Sequence, residues 1–132
     1  MAAASNWLEE NILNYFFRNQ SVAQPTRLYL ALYINDPTDS DTGTEINGAG
    51  YQRQEISFGP PSQSGGKGTI TNDSTIEFPI AGDNWGDVSH WGIKDSSTGG
   101  SLVCKGSFNR LETVSVGNRF TIESGNLEVS MD

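Results

Sequence analysis

The sequence contains one cysteine, Cys104, and one histidine, His90. A single thiol cannot close a disulfide within the chain, so we expect packing, hydrogen bonds or association to hold the fold. Synthesis in a cytosol is the simplest expectation for such a chain. The usual forms of nucleophilic catalysis combine a nucleophile, a base and an orienting group, and a sequence with one histidine offers few such combinations.

Basic residues are also scarce. Lys and Arg total 8 against 16 Asp and Glu, which gives a formal net charge of -8. A surface with this average charge repels phosphate backbones. We therefore expect no direct contact with nucleic acid.

Long apolar runs are missing as well. No stretch approaches the roughly 20 apolar residues that span a bilayer, and the first residues lack the basic and apolar segments of a signal peptide. We expect neither membrane insertion nor secretion. The 132 residues suffice for one core, and no repeat or long linker divides them, so residues 1–132 are predicted to form a single domain.

Residues 5–18 have the spacing of an amphipathic helix. The Asn6 side chain could accept a hydrogen bond from the first turn, and Glu9, three residues on, could reach back to it. Seven large apolar or aromatic residues occupy the eleven positions from 7 to 17, which is broad for a helix covered on one side. We predict an interface at six of them: Trp7, Leu8, Ile12, Tyr15, Phe16 and Phe17.

Two interpretations of this apolar helix remain open. It can pack on its own β-domain, which is the more common arrangement, or it can be shared with a neighbouring subunit.

The remainder, residues 27–131, has the pattern of an antiparallel β-sandwich, jelly-roll-like, in a mainly β fold. Residues 27–34 alternate with period two and are apolar on both faces, which predicts a central strand. Turn signals recur at short intervals after it. Further strands are predicted at residues 51–58, 69–78, 87–94, 101–108, 111–116, 119–123 and 127–131, and Pro79 should end the third of these eight strands or place it at an edge.

No catalytic, cofactor or metal site is predicted. Strand alternation should direct His90 away from Ser89 and Trp91, and Cys104 is interpreted as a small core residue. The acidic segment at residues 36–45 resembles a loose calcium loop, but its glutamate follows Gly43 too closely, and a solvated loop between strands is the preferred interpretation. The segment at residues 65–69 fails the spacing of a phosphate-binding loop.

The sequence also leaves two other classes of function open, a carbohydrate-binding module and a glycoside hydrolase. Trp85 or Trp91 could stack on sugar rings in a carbohydrate-binding module, although such residues in small β-domains are more often core anchors. Spacing alone also leaves Asp83 and Asp87 as a carboxylate pair of a glycoside hydrolase.

The whole string resembles a family of small tailed-phage virion proteins that are often labelled tail-fibre proteins. The residues that carry the resemblance are Leu28-Tyr-Leu-Ala-Leu-Tyr33, Asp36-Pro-Thr38, Gly43-Thr-Glu45, Gly48-Ala-Gly-Tyr51-Gln-Arg53, Ile76-Glu-Phe-Pro79, Trp85-Gly86, Val88-Ser-His-Trp-Gly-Ile93, Thr98-Gly-Gly100 and the closing segment from Thr113 to Asp132. The resemblance implies a non-enzymatic particle component that is made in the host cytoplasm and located in the virion.

Within that setting, the sequence predicts function through protein–protein binding. The chain has no repetitive shaft, so a decoration or cement protein of the capsid is the leading hypothesis, and a tail, neck or fibre-associated protein is the alternative. An acidic chain is expected on the outside of the shell or in the tail, away from packaged DNA. Expected partners are other copies of the chain, forming a homo-oligomer, and other particle proteins.

Overall fold

The structure is a computed structural model that describes residues 2–131. These residues form one helix, α1 (Asn6–Phe17), and ten strands. Strands account for 40% of the structure and helix for 9%, so the predicted mainly β fold with an N-terminal helix is confirmed. The strands are β1 (Ala3–Ala4), β2 (Leu28–Tyr33), β3 (Gln54–Ile56), β4 (Ser62–Ser64), β5 (Lys67–Thr71), β6 (Ile76–Glu77), β7 (Gly86–Lys94), β8 (Leu102–Val114), β9 (Thr121–Ile122) and β10 (Glu128–Met131).

The largest sheet has five antiparallel strands in the order β1-β8-β7-β2-β3. β2 lies inside this sheet, as its two apolar faces predicted, and Leu30 to Tyr33 are buried. Leu30 and Leu32 pair with Ile93 and Trp91 of β7. These residues line one face of the sheet and form part of the hydrophobic core.

Two smaller sheets, β10-β5-β4 and β6-β9, complete the architecture. They share one core with the large sheet, to which they contribute Ile76 and Ile122 together with the adjoining Phe78, Phe120 and Leu127. Phe78 is fully buried and packs edge-on against Phe120 at 5.9 Å between ring centroids. The three sheets are antiparallel and do not close into a barrel.

A buried asparagine interrupts the strand that was predicted at residues 69–78. The side chain of Asn72 donates to the carbonyl oxygens of Ser74 and Glu123 and accepts from the Leu127 amide at 2.9 Å. The chain therefore turns here, and the segment divides into β5 and β6. Strand β6 ends at Glu77, two residues before Pro79, which agrees with the predicted stop.

The strands predicted at residues 101–108 and 111–116 are instead one long strand, β8. Glu112 pairs with Val88 and Ser107 pairs with His90, so residues 108–111 form a bulge opposite Ser89 alone. Asn109 and Arg110 lie in this bulge between Phe108 and Leu111, and they interrupt the alternation of apolar and polar residues that predicts one continuous strand. The short strands β1 and β4 were not predicted, because two or three small or polar residues give no readable period.

Candidate interaction surface

The first turn of α1 is attached to the large sheet by Ser5. The Ser5 hydroxyl accepts from the Leu8 amide at 3.1 Å and donates to the Leu102 carbonyl oxygen, and the Ser5 amide donates to Val103 at 3.0 Å. Ser5 is therefore the N-cap, and the assignment of that role to Asn6 was wrong by one residue. Ser5 is 1% exposed, so the helix begins from a buried point on β8.

The acidic segment lies against the outer face of the large sheet, beside this helix start. The Asn6 amide donates to the Asp39 carbonyl oxygen at 3.0 Å. Lys105 of β8 contacts the carboxylates of Asp36 at 3.0 Å and Asp39 at 3.9 Å. A hydrogen bond from the Thr38 amide and the contact with Lys105 lower the pKa of Asp36.

A second lysine draws the tip of the segment toward the sheet. Lys94 has a side chain 5% exposed and pairs with Asp41, which also accepts from the Tyr33 hydroxyl at 3.1 Å. Burial and the Asp41 carboxylate together raise the pKa of Tyr33. The segment is a loop between strands with mostly exposed or half-exposed residues, and its carboxylates also neutralise cations of the outer sheet face.

The last acidic residue of the segment, Glu45, belongs to a third ion pair. Its carboxylate binds the Arg53 guanidinium with two contacts of 2.8 Å and accepts from the Tyr51 hydroxyl at 2.5 Å. Burial alone raises the pKa of Glu45, but the hydrogen bonds from Arg53 and Tyr51 outweigh burial and lower it. The same Arg53 donates to the carbonyl oxygens of Ser96 and Gly99, and these bonds hold the loop between β7 and β8.

These contacts bear on the calcium hypothesis. The carboxylates of the segment pair with Lys94, Lys105 and Arg53, and residues 2–131 contain no group of three or more His, Cys, Asp or Glu side chains arranged to hold a metal ion.

Beyond its first turn, α1 is poorly covered by the rest of the protein. Among the described strands it contacts only β1 and β8, and none of its residues is buried. Exposure rises along the helix, from half-buried Trp7 and Leu8 to Phe16 at 72% and Phe17 at 79%. An apolar cluster of this kind on one element is typical of an interaction surface.

Two open grooves run along the sides of the helix. The first, about 810 Å³, lies between α1 and β10 and includes Ala4, Leu13 and Met131. The second, about 560 Å³, lies between α1 and the segment that leads into β2 and includes Val22, Leu28 and Val103. Leu8 and Ile12 border both grooves, whereas Trp7, Tyr15 and Phe16 border only the second.

The structure thus places the six predicted interface residues on one uncovered helix, with Phe17 facing solvent. Their role in an interface stays a prediction. Leu13, 56% exposed, joins them on the surface, and so do Val22 and Met131 at the groove walls. Leu13 could have been included from its spacing, but Val22 and Met131 reach the grooves through tertiary structure that the sequence pattern does not encode.

The single histidine and the single cysteine have different surroundings. The Ser89 hydroxyl lies 2.7 Å from Nδ1 of His90, so the expectation that the two side chains point apart was wrong. The irregular register between Val88 and His90 removes strict alternation. Cys104 is 4% exposed in the core, as expected, and burial raises the pKa of its thiol to about 12.

Both tryptophans that could have formed a sugar-binding platform are core residues. Trp85 is 5% exposed and donates from its indole nitrogen to Ala49 at 2.9 Å, and Trp91 is 4% exposed. Neither ring face is available for stacking on a ligand, so that version of the carbohydrate-binding hypothesis was wrong.

The fold and this surface define a small, mainly β protein whose N-terminal helix is exposed over its second half, and whose buried ion pairs hold the acidic segment on the sheet. The family described as Podophage GP4 fiber I protein gp80 matches residues 3–130. The chain belongs to this family, and the resemblance to tailed-phage structural proteins is confirmed. No curated protein is significantly similar to the chain. Within residues 2–131, no helix is both long and apolar enough to cross a bilayer.

Proposed function

We propose that this protein is a non-enzymatic, fibre-associated component of the podophage particle, and that it binds other particle proteins through α1. Membership of a phage fibre protein family supports the fibre alternative over capsid decoration. The chain is synthesised in the host cytoplasm and then joins the virion. Contact with further copies of itself stays a prediction.

The observation that carries this proposal is the exposure of α1. A helix of 12 residues is marginal in water without tertiary packing, and here the packing covers little of its second half. Leu13, Tyr15, Phe16 and Phe17 each leave more than half of their surface in solvent. Covering Phe16 and Phe17 alone would contribute on the order of 2 kcal/mol each to association.

The proposal is tested by complementing a phage that lacks the gene with the double variant F16S/F17S. Both side chains are exposed, so the variant should keep the fold, with a circular dichroism spectrum and Tm close to wild type. It should be strongly depleted from purified particles, as measured by immunoblot. The matched control is I80S/V116S, which removes two exposed apolar side chains elsewhere, at 55% and 61% exposure. Normal incorporation of F16S/F17S would contradict the proposal.

Copy number separates the two particle locations. Quantitative mass spectrometry of purified virions should give a few to a few dozen copies for a fibre-associated protein. Hundreds of copies would instead support decoration of the capsid.

A further inference from the structure

The outward face of α1 has two chemically different halves. Glu9 and Glu10 are exposed in its first half, and Leu13, Phe16 and Phe17 are exposed in its second half. Residues three or four positions apart lie on the same side of a helix, which places Glu9 and Glu10 in line with Leu13 and the two phenylalanines. The exposed surface is therefore an acidic patch followed directly by an apolar patch, which we name the outer helix face.

A second copy of the protein offers few cations that could form ion pairs with this acidic patch. Of its 8 basic residues, Arg53, Lys94 and Lys105 are largely buried in ion pairs with carboxylates of the same chain. Arg27, Arg110 and Arg119 form exposed pairs with such carboxylates at 3.3 to 3.9 Å. Arg18, at the helix end, donates to the Asn14 side chain at 2.9 Å. Lys67 borders the groove on the β10 side of the helix.

Pairing two outer helix faces gives unfavourable contacts in either direction. An antiparallel pair places the glutamates of each copy on the phenylalanines of the other, and a parallel pair places carboxylate on carboxylate. The net charge of -8 adds general repulsion between copies.

From this pattern we propose that the outer helix face binds a different particle protein, whose docking surface presents lysine or arginine side chains next to an apolar patch. The inference rests on the proposed function, since it names the chemistry of the partner that α1 contacts. The apolar half supplies most of the affinity, and the acidic half sets orientation and association rate. Binding is therefore sensitive to ionic strength.

The test uses purified chain and particles made without it as the binding probe, with bound protein measured after sedimentation of the particles. Wild-type binding should weaken about tenfold between roughly 50 mM and 500 mM NaCl. The E9K/E10K variant should bind about tenfold more weakly than wild type at low salt. The matched control E123K/E128K makes the same change in net charge at two exposed glutamates outside α1, one just after β9 and one in β10, and should bind normally.

Because acidic residues also stabilise a helix start, E9Q/E10Q is included as a milder variant, with hydrogen exchange of α1 confirming that the helix is retained. It should show an intermediate loss of binding and a weaker salt dependence. Normal binding of a folded E9K/E10K would overturn the inference while leaving the proposed function intact. Sedimentation of the free chain as a dimer that F16S/F17S abolishes would identify a second copy as the occupant and would also overturn it. Normal binding of F16S/F17S would instead contradict the proposed function itself.

Discussion

Two glycines inside strands, Gly92 and Gly106, allow large side chains to lie against the five-stranded sheet. A Cβ atom on Gly106 would lie 2.4 Å from Cζ2 of Trp91, and one on Gly92 would lie 2.9 Å from the Tyr33 ring. Trp91 and Tyr33 are both buried and occupy opposite faces of the sheet. These glycines are thus packing residues rather than turn residues.

The variant G106A tests this packing role. The added methyl group must displace the Trp91 indole in a filled core, so we expect a loss of about 2 kcal/mol in the free energy of unfolding. Urea denaturation measures the change. The control G59A places a methyl group where no atom lies within 4 Å and should stay within about 0.5 kcal/mol of wild type. Equal stability of G106A and wild type would contradict the packing argument.

The ion pair between Glu45 and Arg53 predicts sensitivity to acid. The pKa of Glu45 is lowered in the folded protein, so its contribution to stability is present above the ordinary glutamate pKa and is lost as pH falls through the folded value. The wild type should therefore lose stability below about pH 4. Asp36, whose pKa is also lowered, contributes with the same sign.

Replacing Glu45 by Gln removes that contribution. E45Q should lose about 2 kcal/mol of stability at neutral pH, and its stability should fall less steeply below about pH 4. Urea denaturation at a series of pH values measures both effects. E55Q is the control, because Glu55 is well exposed and 3.7 Å from Arg27, and such surface pairs contribute little. An E45Q profile parallel to the wild-type profile would show that Glu45 does not carry the acid response.

At the level of elements, the sequence predicted those with a strong period and missed those without one. β2 and β10 were predicted within two residues at each end, because leucines alternate with tyrosine and alanine along β2, and apolar residues alternate with polar ones along β10. β4 is fully exposed and polar, so only its pairing with β5 defines it. The division of β5 from β6 depends on Asn72, whose hydrogen-bond partners are 50 or more residues away in two cases.

The sequence predicted which residues form the candidate surface, but it could not predict how exposed those residues are. Spacing indicated an apolar helix with too many large side chains for one contact. The extent to which the β-domain covers this helix depends on two things: the point on β8 to which Ser5 attaches the helix, and the distance between β10 and the helix. Both are tertiary properties, which explains why two interpretations stayed open.

Ser5 fixes the direction of α1, and S5A tests this. Loss of the hydroxyl removes the cap of the first turn and the bond to Leu102, so we expect a loss of about 1 kcal/mol. Amide hydrogen exchange over residues 6–17 should accelerate more than exchange in β2 and β7. The control S64A changes an exposed serine of β4 and should leave both rates unchanged. Uniform acceleration throughout the protein would show that Ser5 stabilises the whole fold rather than the helix.

At the scale of the whole molecule, charge and apolar surface are arranged for different purposes. Three of the 8 basic residues, Arg53, Lys94 and Lys105, hold the acidic segment and a neighbouring loop, and the 16 acidic residues leave the surface with an excess of carboxylates. The largest group of exposed apolar side chains, Leu13, Tyr15, Phe16 and Phe17, lies on α1. In the proposed function, α1 is the element that contacts the particle, and the β-sheets are the support that positions it.

Hydroxyl-radical footprinting of the purified virion, compared with the free chain, tests this account most directly. If α1 docks on a particle protein, oxidation of Phe16 and Phe17 should fall strongly in the virion, while Val116, which is exposed at 61% on another part of the protein, should react at the same rate in both samples. Equal oxidation of both phenylalanines in the virion and in the free chain would contradict docking through the helix.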